Sequence, residues 1–115
     1  MIVTVGLIDL AAYIAGKYIY MGIGTGTTAP TLGDTTLETE SVGYREECET
    51  HTSTGAVATF ETEFTIVTSP LVVTEAALFD AGVDGNMFAR QVFGALNLAV
   101  ADKLKITWTI TFANA

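Results

Sequence analysis

Two stretches alternate cleanly between apolar and polar residues. In the first, Ala58, Phe60, Thr62, Phe64 and Ile66 point one way and Thr59, Glu61, Glu63 and Thr65 the other. In the second, Leu104, Ile106, Trp108, Ile110 and Phe112 alternate with Lys105, Thr107, Thr109 and Thr111. Successive side chains of a strand leave on opposite faces, so each pattern predicts a half-buried antiparallel strand, about 57–67 and 103–113. Near the N-terminus the period changes. Leu7, Leu10, Ala11 and Ile14 fall at i, i+3, i+4 and i+7, one helical stripe. This predicts a short helix over about 5–15, with Thr4 placed to cap its start and Gly16 to end it in the left-handed conformation.

Between these, Tyr- and Ile-rich 17–23 reads as a strand, and so does the weakly alternating 43–52 with an acidic outer face. Ser53-Thr54-Gly55 is expected as the hairpin turn that leads into 57–67, and Ser69-Pro70 breaks the next connection. Segments 71–79 and 87–93 then form a hairpin, whose turn carries Asp84-Gly85, a dipeptide suited to positive φ. The sum is one domain of 115 residues, all-β, mainly an antiparallel β-sandwich, jelly-roll-like, with one short N-terminal α-helix. Composition agrees. Threonine occurs 19 times, and Val, Ile, Phe and Tyr are frequent, as strands favour.

Gly22-Ile-Gly24-Thr-Gly26-Thr-Thr-Ala29-Pro30 follows an apolar run and contains Gly-x-Gly-x-x-Ala, close to a dinucleotide fingerprint. Such a motif holds a pyrophosphate only where a helix begins inside it. Pro30 and the turn-forming Thr31-Leu32-Gly33-Asp34 follow instead, so no cofactor is expected, and the block reads as a long loop through Thr36.

Half of the residues are hydrophobic and 16% are charged. A chain this short buries only about two thirds of its unfolded surface, so self-association or docking on a larger assembly is expected. The net charge is −8, and eight carboxylates lie between Asp34 and Glu63 against Arg45 alone. That sign excludes a nucleic-acid partner. It reads as a solvated sheet face. A cation-rich or high-salt setting is the sharper alternative. Cys48 is the single cysteine and reads as a small buried hydrophobe. The apolar N-terminus has no basic segment and is interrupted by Asp9 and Lys17, so neither a signal peptide nor a membrane partner is expected.

Candidate chemistry is sparse. His51 follows Glu47 and Glu49 at strand spacing, but one imidazole with two surface carboxylates is a poor metal set. Asp80, Asp84 and Asn86 lack the alternating ligands of a calcium loop. Glu61 and Glu63 share a strand face, and Cys48 and His51 face opposite sides of a strand, so no catalytic group forms and no enzyme is expected. Glu75 and Arg90 flank the 71–93 hairpin. With the turn centred on Gly82-Val83 they sit opposite each other and pair.

Two blocks together resemble a family of small structural proteins encoded by tailed viruses and their prophages. One runs Tyr20-Met-Gly-Ile-Gly-Thr-Gly-Thr-Thr-Ala-Pro30 and on through Gly33-Asp34-Thr35-Thr36-Leu37 to Glu40. The other comprises Glu75-Ala-Ala-Leu-Phe79-Asp-Ala-Gly, Gly85-Asn-Met-Phe-Ala-Arg90 and Leu104-x-Ile-Thr-Trp-Thr-Ile-Thr-Phe112. The helix with Gly6-Leu7 near its start also fits, 42–69 is matched least, and Ala77 stands where the family pattern has glycine. The resemblance implies a non-enzymatic virion component whose partners are itself and other virion proteins. A lone domain with excess apolar surface suits a capsid-surface decoration or turret protein. A tail-tube, adaptor or baseplate subunit is the alternative, its Gly22–Thr36 loop reaching a neighbour. A carbohydrate- or receptor-binding module using Tyr18, Tyr20 and Tyr44 is a third reading. The residues expected at structural or subunit contacts are Gly22, Gly24, Gly26, Pro30, Glu75, Phe79, Arg90 and Trp108.

Overall fold

The computed structural model describes residues 1–114. Helix α1 (Thr4–Lys17) is followed by β1 (Tyr20–Gly24), β2 (Glu46–Glu47), β3 (Thr50–Thr54), β4 (Val57–Thr65), β5 (Leu71–Phe79), β6 (Met87–Leu98) and β7 (Lys103–Thr111). The strands form two antiparallel sheets, ordered β2-β1-β5-β6 and β3-β4-β7. The chain is thus all-β with one N-terminal helix.

The inner rows of the two sheets meet in one core. Met21 and Ile23 of β1, Val73, Ala76 and Leu78 of β5, and Ala58, Phe60 and Phe64 of β4 are all fully buried or nearly so. The alternation of β4 and β7 does this, since every second residue turns inward and most of these are apolar. Helix α1 adds Ala11, Ile14 and Ala15 to the same core.

Strands β1 and β5, side by side in the four-stranded sheet, are each buried on both faces. The segment between β1 and β2 folds back over the outer face of its sheet. There Leu37 packs on Ala77 and Phe79, with Tyr20 and Met87 at the margin.

The elements depart from the sequence expectation in several places. Helix α1 continues through Gly16 and Lys17. Lys17 places a positive charge on the last turn, where exposed carbonyls favour it. The chain then leaves the helix at Tyr18 (φ −95°), whose ring packs 4.8 Å from that of Phe88. Thr4 is the first helical residue, and Val3 occupies the capping position with no side-chain hydrogen bond. The expected strand 43–52 is two strands in different sheets. Cys48 sits at the crossing, buried, and its N–H donates to the Ile19 carbonyl at 2.7 Å. One apolar residue among glutamates gives weak alternation because the segment changes sheets there. The β3–β4 turn is Gly55-Ala56, with Ser53 and Thr54 inside β3. Strand β6 runs five residues past Phe93, through a register shift opposite Val73–Glu75 that breaks its period; a second shift, opposite Leu78–Phe79, lies near its start.

The Asp84-Gly85 turn forms as the dipeptide suggests, with φ of 55° and 71°. Asp80 closes it by accepting the Asn86 N–H at 2.7 Å.

Candidate functional site

Gly22, Gly24 and Gly26 are spaced by two, so in an extended chain they lie on one face. They make one side of β1 and its exit bare of side chains. Across the sheet, Gly22 pairs with Ala77 and Gly24 with Glu75. The Glu75 carboxylate therefore lies directly over the glycine row. A methyl group on Gly24 would come within 2.6 Å of Glu75 Oε2, and one on Gly26 within 2.5 Å of the same atom. Only glycine allows this approach.

Glu75 is fully buried, and each oxygen accepts two hydrogen bonds. Oε2 takes the N–H groups of Gly26 (2.7 Å) and Thr39 (2.9 Å). Oε1 takes the Glu38 N–H (2.9 Å) and Arg90 Nε (2.9 Å). Burial pushes the carboxyl pKa up, but the Thr39 N–H, Arg90 and the other two amides outweigh it and hold Glu75 below the usual range.

Arg90 is the hub of the loop above. Its Nη1 donates to Asp34 Oδ2 at 3.0 Å and its Nη2 to the Thr28 carbonyl at 2.9 Å. Burial alone would lower its pKa, and Glu75 and Asp34 reverse that. Asp34 also accepts the N–H and hydroxyl of Thr31, both at 3.0 Å, which lower its pKa more than Arg90 does. Glu38 accepts the hydroxyl and N–H of Thr28 and the N–H of Thr27, and is lowered in turn. Thr25 N–H donates to Thr39 O and Ser41 N–H to Ile23 O, both at 2.9 Å, so the ends of the loop lie side by side. The result is an Ω-loop stitched to its own sheet.

A second ion pair fixes the return path. Arg45 grips Glu40 with two bonds, Nε–Oε2 at 2.8 Å and Nη2–Oε1 at 2.6 Å. Its guanidinium lies 3.5 Å from the centre of the Phe79 ring and donates to the carbonyls of Ala81 (3.2 Å) and Asp84 (2.8 Å).

Of the residues singled out in the sequence, the fold gathers Gly22, Gly24, Gly26, Glu75, Phe79 and Arg90 on one outer face. It does not bring in Pro30, which is exposed on the Ω-loop, or Trp108, half-buried on the inner face of the other sheet. Glu75 and Arg90 pair, but not as direct opposites: Ala77 is the residue across from Arg90. The acidic stretch is only in part a solvated face, since Asp34, Glu38 and Glu40 hold the loop. The sequence reading places Asp34, Glu38, Glu40 and Arg45 in an acidic stretch, and not in the roles they take at this site. The spacing of Glu38 and Glu40 by two was the available signal.

Elsewhere, Glu47 and His51 lie in different sheets, with His51 Nε2 4.0 Å from the Glu47 carboxylate. His51 Nδ1 donates to Ala15 O at 3.0 Å, and Glu49 accepts the Glu63 N–H at 3.2 Å. Among the described residues no group of three or more His, Cys, Asp and Glu is disposed to hold a metal ion. The three tyrosines form no common platform. Tyr18 packs toward the inner core and Tyr20 on the outer face, while the Tyr44 hydroxyl accepts the Val67 N–H. Among the described residues, no helix is long and apolar enough to cross a membrane.

Fold and network together define an all-β, sandwich-like domain with an internally saturated ion network. The glycine block does cradle an anion, and that anion is the protein's own Glu75. No protein-family pattern matches the chain, and no curated protein does.

Proposed function

We propose that the chain is a non-enzymatic structural subunit of a tailed-virus particle, an oligomeric decoration or turret protein on the capsid surface. The observation that carries this reading is the way the fold uses the resembling blocks. The glycine block, the Asp34–Glu40 return and the Glu75–Arg90 hairpin are far apart in sequence and converge on one buried ion network. Residues so interlocked serve a common architecture, which is what resemblance to a structural family implies.

One feature favours the shell over a tail tube, and a second favours docking within an assembly. The Ω-loop is bonded to its own sheet by Glu75, Arg90 and Glu38, so it is not an arm free to reach the next ring. Helix α1 also carries only Asp9 and Lys17 as charged residues, and Val5, Ile8 and Tyr13 face outward, Val5 67% exposed. A helix apolar on all sides belongs inside an assembly.

The test is to add the purified protein to undecorated particles. Binding to shells is expected, and Val5→Glu with Ile8→Glu abolishes it while the folded spectrum is retained. Failure to bind shells together with co-purification on tails would replace decoration by the tail reading.

A further inference from the structure

Each sheet of an open sandwich has two free edges, and three of the four here are blunted. Strand β2 is two residues long. Strand β3 is five residues long and lies beside α1. Strand β6 carries two register shifts, which interrupt an edge. Strand β7 has none of these devices. It pairs with β4 through nine consecutive residues without a shift, from Thr65↔Lys103 to Val57↔Thr111.

Hydrogen-bond parity shows what this edge offers. Phe112 N–H donates to Ala56 O, and Asp102 O accepts from Ile66 N–H, both at 2.9 Å. Antiparallel ladders alternate, so even-numbered residues of β7 turn their backbone groups to β4. Lys103, Lys105, Thr107, Thr109 and Thr111 turn theirs outward, and these find no backbone partner among the described residues. The lysines that would guard the edge lean back instead. Lys103 Nζ lies 3.5 Å from Glu63 and Lys105 Nζ 3.4 Å from Glu61, both on β4. Burial also falls off at this strand. On β4 the inner row Ala58, Phe60, Thr62 and Phe64 is completely covered, whereas Leu104, Ile106, Trp108 and Ile110 beside it are half-buried.

The geometry points to a second copy of this chain as the occupant, its β7 paired antiparallel to β7 about a two-fold axis through Thr107. This register is self-complementary. The five outward residues all meet one another: Thr107 faces Thr107, Lys105 faces Thr109 and Lys103 faces Thr111. No lysine opposes a lysine, which would be repulsive. On the inner face Ile106 meets Trp108 and Leu104 meets Ile110, so the apolar row continues across the axis. A single six-stranded sheet results, with the isologous contact of a two-fold dimer. This interface is independent of where the protein acts, and stands or falls apart from the virion reading.

Cysteine cross-linking of the full chain tests the register, since Cys48 is buried and forms no link. Thr107 residues facing each other across a hydrogen-bonded pair have Cα atoms about 5.5 Å apart, within disulfide reach. Two copies of residue 109 are separated by about 13 Å, beyond it. Wild type is expected to sediment at twice the monomer mass. Thr107→Cys forms a covalent dimer on mild oxidation and Thr109→Cys does not. Thr107→Lys, which sets like charges on the axis, returns the monomer with an unchanged circular dichroism spectrum. A monomeric wild type, equal cross-linking at 107 and 109, or a Thr107→Lys protein that stays dimeric would each overturn the proposal.

Discussion

Arg90 reaches Glu75 along the diagonal of the β5–β6 ladder: its direct partner is Ala77, yet its Nε lies 2.9 Å from Glu75 Oε1. The side chain stays on the outer face and spans toward the glycine row, which leaves its two remaining nitrogens free for Asp34 and Thr28. The diagonal makes one arginine serve both the sheet and the loop that covers it.

The pair is buried on both sides, with side chains 4% and 0% exposed. Removing one partner strands the other charge, at a cost of about 3–5 kcal/mol. Arg90→Ala is therefore expected to lower the melting temperature by roughly 12–30 °C, given about 4–6 °C per kcal/mol for a domain of this size. Glu75→Gln keeps the shape but loses the charge and turns an amide donor toward N–H groups, so it falls in the same direction. Replacing both costs less than the sum of the two single changes but not less than either, because the N–H groups of Gly26, Glu38 and Thr39 and the Thr28 carbonyl lose their partners. Thermal melts of the four proteins decide the matter, and additive losses would show that the residues do not act as a pair.

Glycine at 24 and 26 is required by contact. A methyl group on Gly24 runs into the Thr39 carbonyl, and one on Gly26 comes within 2.5 Å of Glu38 Cβ. Gly24→Ala and Gly26→Ala are each expected to cost about 1–3 kcal/mol, since backbone on both sides must move. Gly16 lies inside α1 with nothing within 4 Å of an added methyl. Gly16→Ala is expected to stabilise by about 1 kcal/mol, the helix propensity difference. Denaturant midpoints for the three variants check the contrast.

Much of this fold was legible in the sequence, for reasons particular residues make plain. Strands β4 and β7 could be read because Phe60, Phe64, Ile106 and Trp108 alternate with Thr and Glu, the pattern of one wet and one dry face. The β5–β6 hairpin could be read because Asp84-Gly85 supplies the positive φ its turn needs. The crossing at Cys48 could not, because a strand pair that changes sheets has no single period. The glycine block was the hardest part. Its period of two is a strand signal, but without side chains it carries no hydrophobic pattern. Its partners Glu38, Asp34 and Arg90 lie up to dozens of residues away, and solvated and buried carboxylates look alike in a sequence.

The same network sets an acid limit. Glu75, Asp34 and Glu38 are all held below their ordinary pKa values by hydrogen bonds and Arg90. Carboxyls depressed in the folded state bind fewer protons than in the unfolded chain. Stability is then full above the unfolded carboxyl range, near pH 4, and is lost as pH falls through the folded values. Glu46 acts oppositely, raised by partial burial and then by Glu49. Stability is expected to be flat from neutral pH to about 5 and to drop below about 4. Glu75→Gln flattens that drop. Melting curves across this range give the slope, and an identical slope in the variant would assign the acid sensitivity to other groups.

The remaining acids predict a salt response. Asp34, Glu38, Glu40 and Glu75 are paired at hydrogen-bond distance, where added ions screen little. Glu46, Glu47 and Glu49 lie together across the sheet crossing, on a chain of net charge −8. Their mutual repulsion acts through solvent over several ångströms, and the screening length shrinks from about 10 Å at 0.1 M salt to about 3 Å at 1 M. Melting temperature is therefore expected to rise with sodium chloride over that range. Glu46→Gln removes a carboxyl that partial burial and then Glu49 push toward protonation, so it raises the melting point at low salt and reduces the increment that salt supplies. Equal melting points at both salt concentrations would mean that the acidic segment carries no repulsion for cations to relieve.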